Sequence, residues 1–113
     1  MKKMKTLKKN YEFQNVLKKG NFYIGKQIII YIKKNSKNEN RIGIAISNKI
    51  CNAVLRNKIK RKIRACYKIL ENDIIQNYNI VFLWNKKIPV KEINFHIILE
   101  DMKKSFKKAG IFK

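Results

Sequence analysis

Three of the chain's four arginines, Arg56, Arg61 and Arg64, fall within nine residues, interleaved with Asn57, Lys58, Lys60 and Lys62 and followed by Lys68. A guanidinium is a planar fork of donors that meets a phosphate through two parallel hydrogen bonds, where a lysine supplies only a point charge. The chemistry this cluster can do is to grip a polyanion. A protein active site is harder to find. His96 is the single histidine, set among Phe95, Ile97 and Ile98, where a partly buried structural role is expected. The seven acids are scattered, and Glu100 and Asp101 point about 100° apart on a helix rather than forming a clamp. Cys51 and Cys66 are fifteen residues apart, roughly 20 Å along a helix axis, whereas a disulfide needs Cα atoms within about 7 Å. Without histidine neighbours they also make a poor metal site, so reduced thiols in a cytoplasmic protein are expected.

The element that must position the cations is a helix from Asn52 to Leu70, with Asn52 as its N-cap. At 100° per residue, Leu55, Ile59, Ile63, Cys66 and Leu70 fall on one stripe that should face a sheet. Arg56, Asn57, Lys60, Arg61, Arg64 and Lys68 fall on another. A merely solvated helix face normally mixes signs to gain i, i+4 pairs. This one has no acid before Glu71, so its like charges call for an external counter-charge.

Around that helix the pattern predicts a short helix over Asn10–Lys19, stopped by Gly20, and a β-branched strand at Ile28–Ile32. Ile42, Ile44 and Ile46 alternate with Gly43, Ala45 and Ser47, a second strand with one bulky and one small face. A third strand is expected at Ile80–Trp84. Pro89 is expected to open a last helix reaching about Lys108, with Phe95, Ile98, Leu99, Met102 and Phe106 as its apolar stripe. The order α-β-β-α-β-α predicts an α/β (α+β) protein: a two-layer sandwich on a small, mostly antiparallel sheet. No repeat or linker divides residues 1–113, so a single domain is expected.

Composition narrows the partners. Among 113 residues, 28 Lys and Arg against 7 acids leave +21 at pH 7, and 45% of residues are hydrophobic, enough for a packed core. Such a charge draws polyanions, and nucleic acid is favoured. No run approaches about 18 apolar residues, and no basic helix has a Trp/Phe face to bury in lipid, so no membrane role is expected. DNA is not the expected partner either, a non-specific DNA-coating protein being an alternative reading. The start, Met1-Lys2-Lys3-Met4-Lys5, is basic without an apolar segment behind it, unlike a secretory signal.

The run Arg56-Asn57-Lys58-Ile59-Lys60-Arg61-Lys62-Ile63-Arg64 resembles the Arg-Asn-x-x-Lys-Arg-x-x-Arg signature of the bacterial ribonuclease P protein component. Asn52-Ala53-Val54, Arg41 to Ser47 and Phe13-Gln14-Asn15-Val16 match the same family in order, over residues 7 to about 108. Asn48, Cys51, Asn79 and Asn85 depart from the family's usual Lys, Gly, Asp and Arg. The resemblance implies a ribosomal protein S5 domain 2-like fold and a protein that binds two RNAs. The catalytic RNA of ribonuclease P would meet Arg56, Asn57, Lys60, Arg61, Arg64, Lys68 and Lys49. The 5′ leader of precursor tRNA would enter a cleft formed by Phe13, Leu17 and Tyr31, where bases could stack. Periodicity alone would place Phe13 and Leu17 in the core, while Tyr31 shares a more open strand face with Ile29 and Lys33. The resemblance further implies that the RNA subunit is the catalyst of leader removal and holds most of the Mg²⁺, with none bound by the protein alone. The competing reading is a small basic ribosomal protein with no part in tRNA processing.

Overall fold

The computed structural model describes residues 4–113; the basic start at Met1-Lys2-Lys3 lies outside them. Helix α1 (Asn10–Lys19) is followed by strands β1 (Asn21–Ile24), β2 (Ile28–Lys34) and β3 (Arg41–Ala45). Helix α2 (Ala53–Leu70), strand β4 (Tyr78–Trp84) and helix α3 (Phe95–Lys108) complete the order, with one-turn 3-10 segments at Glu71–Asp73 and Val90–Glu92. The sheet order is β1-β2-β4-β3. β1–β2 and β2–β4 pair antiparallel, whereas β3 runs parallel to β4 because α2 is the crossover that joins them.

Strand alternation assigns the two faces. Ile28, Ile30 and Ile32 of β2 sit opposite Trp84, Phe82 and Ile80 of β4, and all six are buried. They meet Ile59, Ile63, Cys66 and Leu70 of α2 and Ile98, Met102 and Phe106 of α3 in the main core. The other face carries Ile29, Tyr31 and Lys33 of β2, Val81 and Leu83 of β4, and Gly43 and Ala45 of β3. Here α1 supplies the cover, and a second, smaller cluster forms around Leu7, Val16 and Val81.

Several expectations need correction. Strand β1 was not anticipated; Asn21–Ile24 is short and mostly exposed, so it lacks the apolar alternation that marks a buried strand. The last helix does not begin at Pro89. That residue is extended (ψ 134°), a single 3-10 turn follows, and Ile93 is extended again (ψ 129°). The helix starts only where the Asn94 side chain accepts the Ile97 N–H at 3.1 Å. His96 is exposed rather than partly buried, two residues past that cap, with Phe95 edge-on to its ring at 5.8 Å. The second predicted strand ends at Ala45, short of Ile46, while β2 and β4 are longer than expected.

Candidate nucleic-acid interface

Asn52 caps α2 as expected, its Oδ1 accepting the Leu55 N–H at 3.0 Å. Of the stripe predicted to face the sheet, Ile59, Ile63, Cys66 and Leu70 are buried, but Leu55 is only half-buried. The core boundary is rotated the other way, because Tyr67 is buried beside the cationic stripe. Burial pushes its phenol up to about 12, with Glu71 adding to the rise and an Asn40 hydrogen bond opposing it. The same rotation leaves Arg56 and Lys60 half-buried at the border, while Asn57, Arg61, Arg64 and Lys68 are exposed. Arg56 is partly engaged: its Nη1 donates to the Cys51 carbonyl at 2.8 Å and ties the preceding loop to the helix.

The four arginines divide by partner. Arg41 on β3 lies 2.9 Å from Glu39 and 3.6 Å from Glu12. Arg56, Arg61 and Arg64 form no ion pair among the described residues, and the first turn of α2 carries no acid. Without a carboxylate partner and repeating along one helix face, with Arg61 and Arg64 exposed, these cations suit a line of phosphates.

Lys49 lies in the loop between β3 and α2. It lines a shallow groove with Ser47, Ile50, Lys86, Lys87 and Pro89, where the parallel strands β3 and β4 end. Lys86 and Lys87 were not singled out from the sequence. Only the parallel pairing brings them beside Lys49, and nothing local in the chain announces that pairing.

Phe13, Leu17 and Tyr31 are brought together as expected, packed on Val16 and Val81 between α1 and the sheet, and all three are half-buried. Gly43 makes the arrangement possible, since a Cβ there would come within 2.4 Å of the Phe13 ring. Helix α1 is held down by Glu12, whose carboxylate accepts the backbone N–H of Lys9 (3.0 Å) and Lys8 (3.2 Å) and pairs with Arg41. The Lys9 N–H is the main reason this carboxyl sits below its ordinary value, with Lys8 and Arg41 contributing. Sequence reasoning missed Phe22, which pairs with Tyr31 across β1 and β2, ring centroids 5.6 Å apart.

Two of the residues that depart from the family pattern have structural partners. Asn79 Oδ1 accepts the Asn35 side-chain amide at 2.8 Å. Asn85 donates to the Gly25 carbonyl at 3.2 Å and accepts the Lys87 N–H at 3.2 Å. Both cysteines are free thiols, and burial pushes Cys66 up to about 11 despite nearby Lys62. Among the described residues no helix is long and apolar enough to cross a membrane.

The sequence model of the ribonuclease P family, described as "Ribonuclease P", matches residues 1–110. The ribonuclease P protein component of Natranaerobius thermophilus is 31% identical over 113 residues, covering 100% of this chain and 96% of that one. That of Macrococcus caseolyticus is 44% identical over 97 residues, covering 83% and 84%. The solved Staphylococcus aureus RNase P protein superposes with a TM-score of 0.80 at 34% identity, covering 98% of this chain and 100% of that one. The Thermotoga maritima RNase P protein, at 24% identity, shares the fold with a TM-score of 0.81 and coverage of 92% and 96%. These matches favour a ribonuclease P subunit over a small ribosomal protein. Matched by the family model along nearly its whole length, the chain belongs to the ribonuclease P protein family, as an RNA-binding subunit of this tRNA-processing nuclease and a partner of its RNA.

Proposed function

We propose that the subunit divides its work between the two layers of the fold. The stripe of α2 (Arg56, Asn57, Lys60, Arg61, Arg64 and Lys68), with Lys49, holds phosphates of the ribonuclease P RNA. The cleft of Phe13, Leu17 and Tyr31 on the opposite layer holds the single-stranded 5′ leader of precursor tRNA. The observation that carries this reading is the contrast among arginines: the one beside α1 is paired with two carboxylates, while the three on α2 have none among the described residues.

Leader removal is then carried by the RNA subunit, with Mg²⁺ held mainly there. Among the described residues no three His, Cys, Asp or Glu side chains gather into a metal cage. Asp101 and Glu12 are already engaged by backbone N–H groups. That donor set does not fit a resident Mg²⁺ on this chain. The protein contributes charge neutralisation and grip on the leader, and it acts in the cytoplasm, where Cys51 and Cys66 remain thiols.

The test is reconstitution with the ribonuclease P RNA. Adding the protein should tighten binding of precursor tRNA well beyond that of mature tRNA, which lacks a leader. Equal tightening of both, or of neither, would remove the leader from the account.

A further inference from the structure

The apolar surface that Phe13, Leu17 and Tyr31 form continues past Tyr31 to the edge of the sheet. On β1, Phe22 lies opposite Tyr31 and Ile24 opposite Ile29, so both share the cleft face. They are 57% and 67% exposed on a four-residue edge strand. Large apolar side chains on an open edge invite aggregation unless something covers them. The Phe22 and Tyr31 rings are neighbours on this face, centroids 5.6 Å apart and planes tilted by 32°.

Beyond the edge, β1 and α3 enclose a shallow groove of about 600 Å³ whose lining includes Lys26, Lys104 and Lys108. Lys104 and Lys108 are one helical turn apart, exposed, and in no ion pair among the described residues. The acid in this groove, Asp101, is buried and turned to the backbone. Its oxygens accept the N–H groups of Lys26 (2.9 Å), Gln27 (2.8 Å) and Ile28 (3.1 Å). Asp101 also touches the position a Cβ at Gly25 would occupy, so this turn is fixed in place. Aromatic surface followed by unpaired cations is the pattern of a single-strand track, with bases on rings and phosphates on lysines.

We propose that the leader track extends over β1, with Phe22 stacking the base next to the one on Tyr31 and Lys104 and Lys108 taking phosphates as the strand crosses the edge. This rests on the leader reading of the cleft. A second copy of the chain pairing its own β1 edge is the other conceivable occupant. It would set Lys26, Lys104 and Lys108 against their equivalents in a chain of net charge +21, a repulsion that RNA replaces with attraction.

The experiment uses the holoenzyme and precursor tRNAs in which one abasic nucleotide is moved along the leader. With the wild type, two neighbouring positions should weaken binding, each by about 5- to 150-fold, the range for one lost base–aromatic stack. Tyr31→Ala should abolish sensitivity at one of them and Phe22→Ala at the other; Phe22→Leu, which keeps the apolar bulk, should behave like Phe22→Ala. Lys104→Ala with Lys108→Ala should lower the slope of log affinity against log salt by roughly 0.7 per contact, and only for leaders long enough to cross the edge. If Tyr31→Ala weakens binding while Phe22→Ala and the lysine pair change nothing, the extension is wrong and the cleft reading stands. If neither ring matters, both fall. A change in sedimentation of Phe22→Ala with precursor affinity intact would make the edge a self-association surface and overturn the proposal.

Discussion

The two faces of the sheet are built to different standards. On the α2/α3 face seventeen buried residues form one cluster, whereas the α1 face has three, Leu7, Val16 and Val81, ringed by half-buried Phe13, Leu17, Tyr31 and Leu83. The same four strands serve both, so the difference comes from what covers them. Two helices of 18 and 14 residues close one side; a single helix of 10 residues covers only part of the other. Stability is concentrated where the layer is closed, and the incompletely covered face keeps aromatic rings within reach of a ligand. The exposed cations of α2, Arg61, Arg64 and Lys68, lie on the outer side of the closed layer.

The sharpest way to break this comparison is to delete one ring from each face. Phe82, fully buried on the closed side, should cost about 3–5 kcal/mol as Phe82→Ala, measured by denaturant unfolding. Phe13→Ala on the open side should cost only ~1–2 kcal/mol, because less area is removed from water, yet it should weaken precursor tRNA binding. Equal destabilisation by both would mean that the α1 face is simply core.

Next in size is the outer surface. Arg61 and Arg64 are exposed and form no ion pair among the described residues, so their joint change to Ala should leave unfolding within about 0.5 kcal/mol of wild type. Assembly with the ribonuclease P RNA should weaken, and the slope of log affinity against log salt should fall by roughly 0.7–0.9 for each lost phosphate contact. Arg56 is a poorer probe, since Arg56→Ala also removes the bond to the Cys51 carbonyl. An unchanged slope would reduce the stripe to a solvated face.

What could be read from the chain follows the same division. The closed face was anticipated well, because Ile59, Ile63, Ile98, Met102 and Phe106 repeat at helical spacing and Ile80 to Trp84 form an unbroken apolar run. The cap at Asn52 and the exposed cations of α2 followed from local rules. What escaped depends on contacts distant in sequence. Strand β1 exists because Phe22 and Ile24 pair with β2, and it stays exposed at the edge. Nothing in the local pattern around Glu100 and Asp101 showed that Asp101 is buried under a turn some seventy-five residues away. Its partners are backbone N–H groups, which carry no signature in the side-chain sequence. Arg41 and Glu12 likewise meet only because α1 packs on β2 and β4, next to β3.

A third measurement separates grip from support on the open face. Tyr31 is half-buried, so Tyr31→Ala should disturb the fold little. It should cost on the order of 1–3 kcal/mol in precursor tRNA binding and far less in mature tRNA binding. Parallel loss for both substrates would make Tyr31 part of the wall of the cleft rather than a contact for the leader.

The smallest expected effect concerns how α1 is fastened. The Glu12 carboxyl is held below its ordinary value of 4.5, first by the Lys9 N–H and then by Lys8 and Arg41. A carboxyl whose folded pKa is depressed adds stability above its unfolded pKa and loses it as pH falls through the folded value. The attachment of α1 should therefore be complete at neutral pH and weaken progressively below about 4.5. Solvent reaches this carboxylate and screens its pairing with Arg41, so the loss should be modest. Hydrogen exchange can localise it, because the amides of Val16 and Leu17 report on α1 alone. In the wild type their protection should decline on acidification. In Glu12→Gln it should begin lower at neutral pH and no longer depend on the ionisation of residue 12. If Val16 and Leu17 are equally protected in both proteins, and neither responds to acid, Glu12 is not what fastens α1. The open face would then owe its cover to the packing of Val16 on Val81, and the difference between the two faces would be one of area alone.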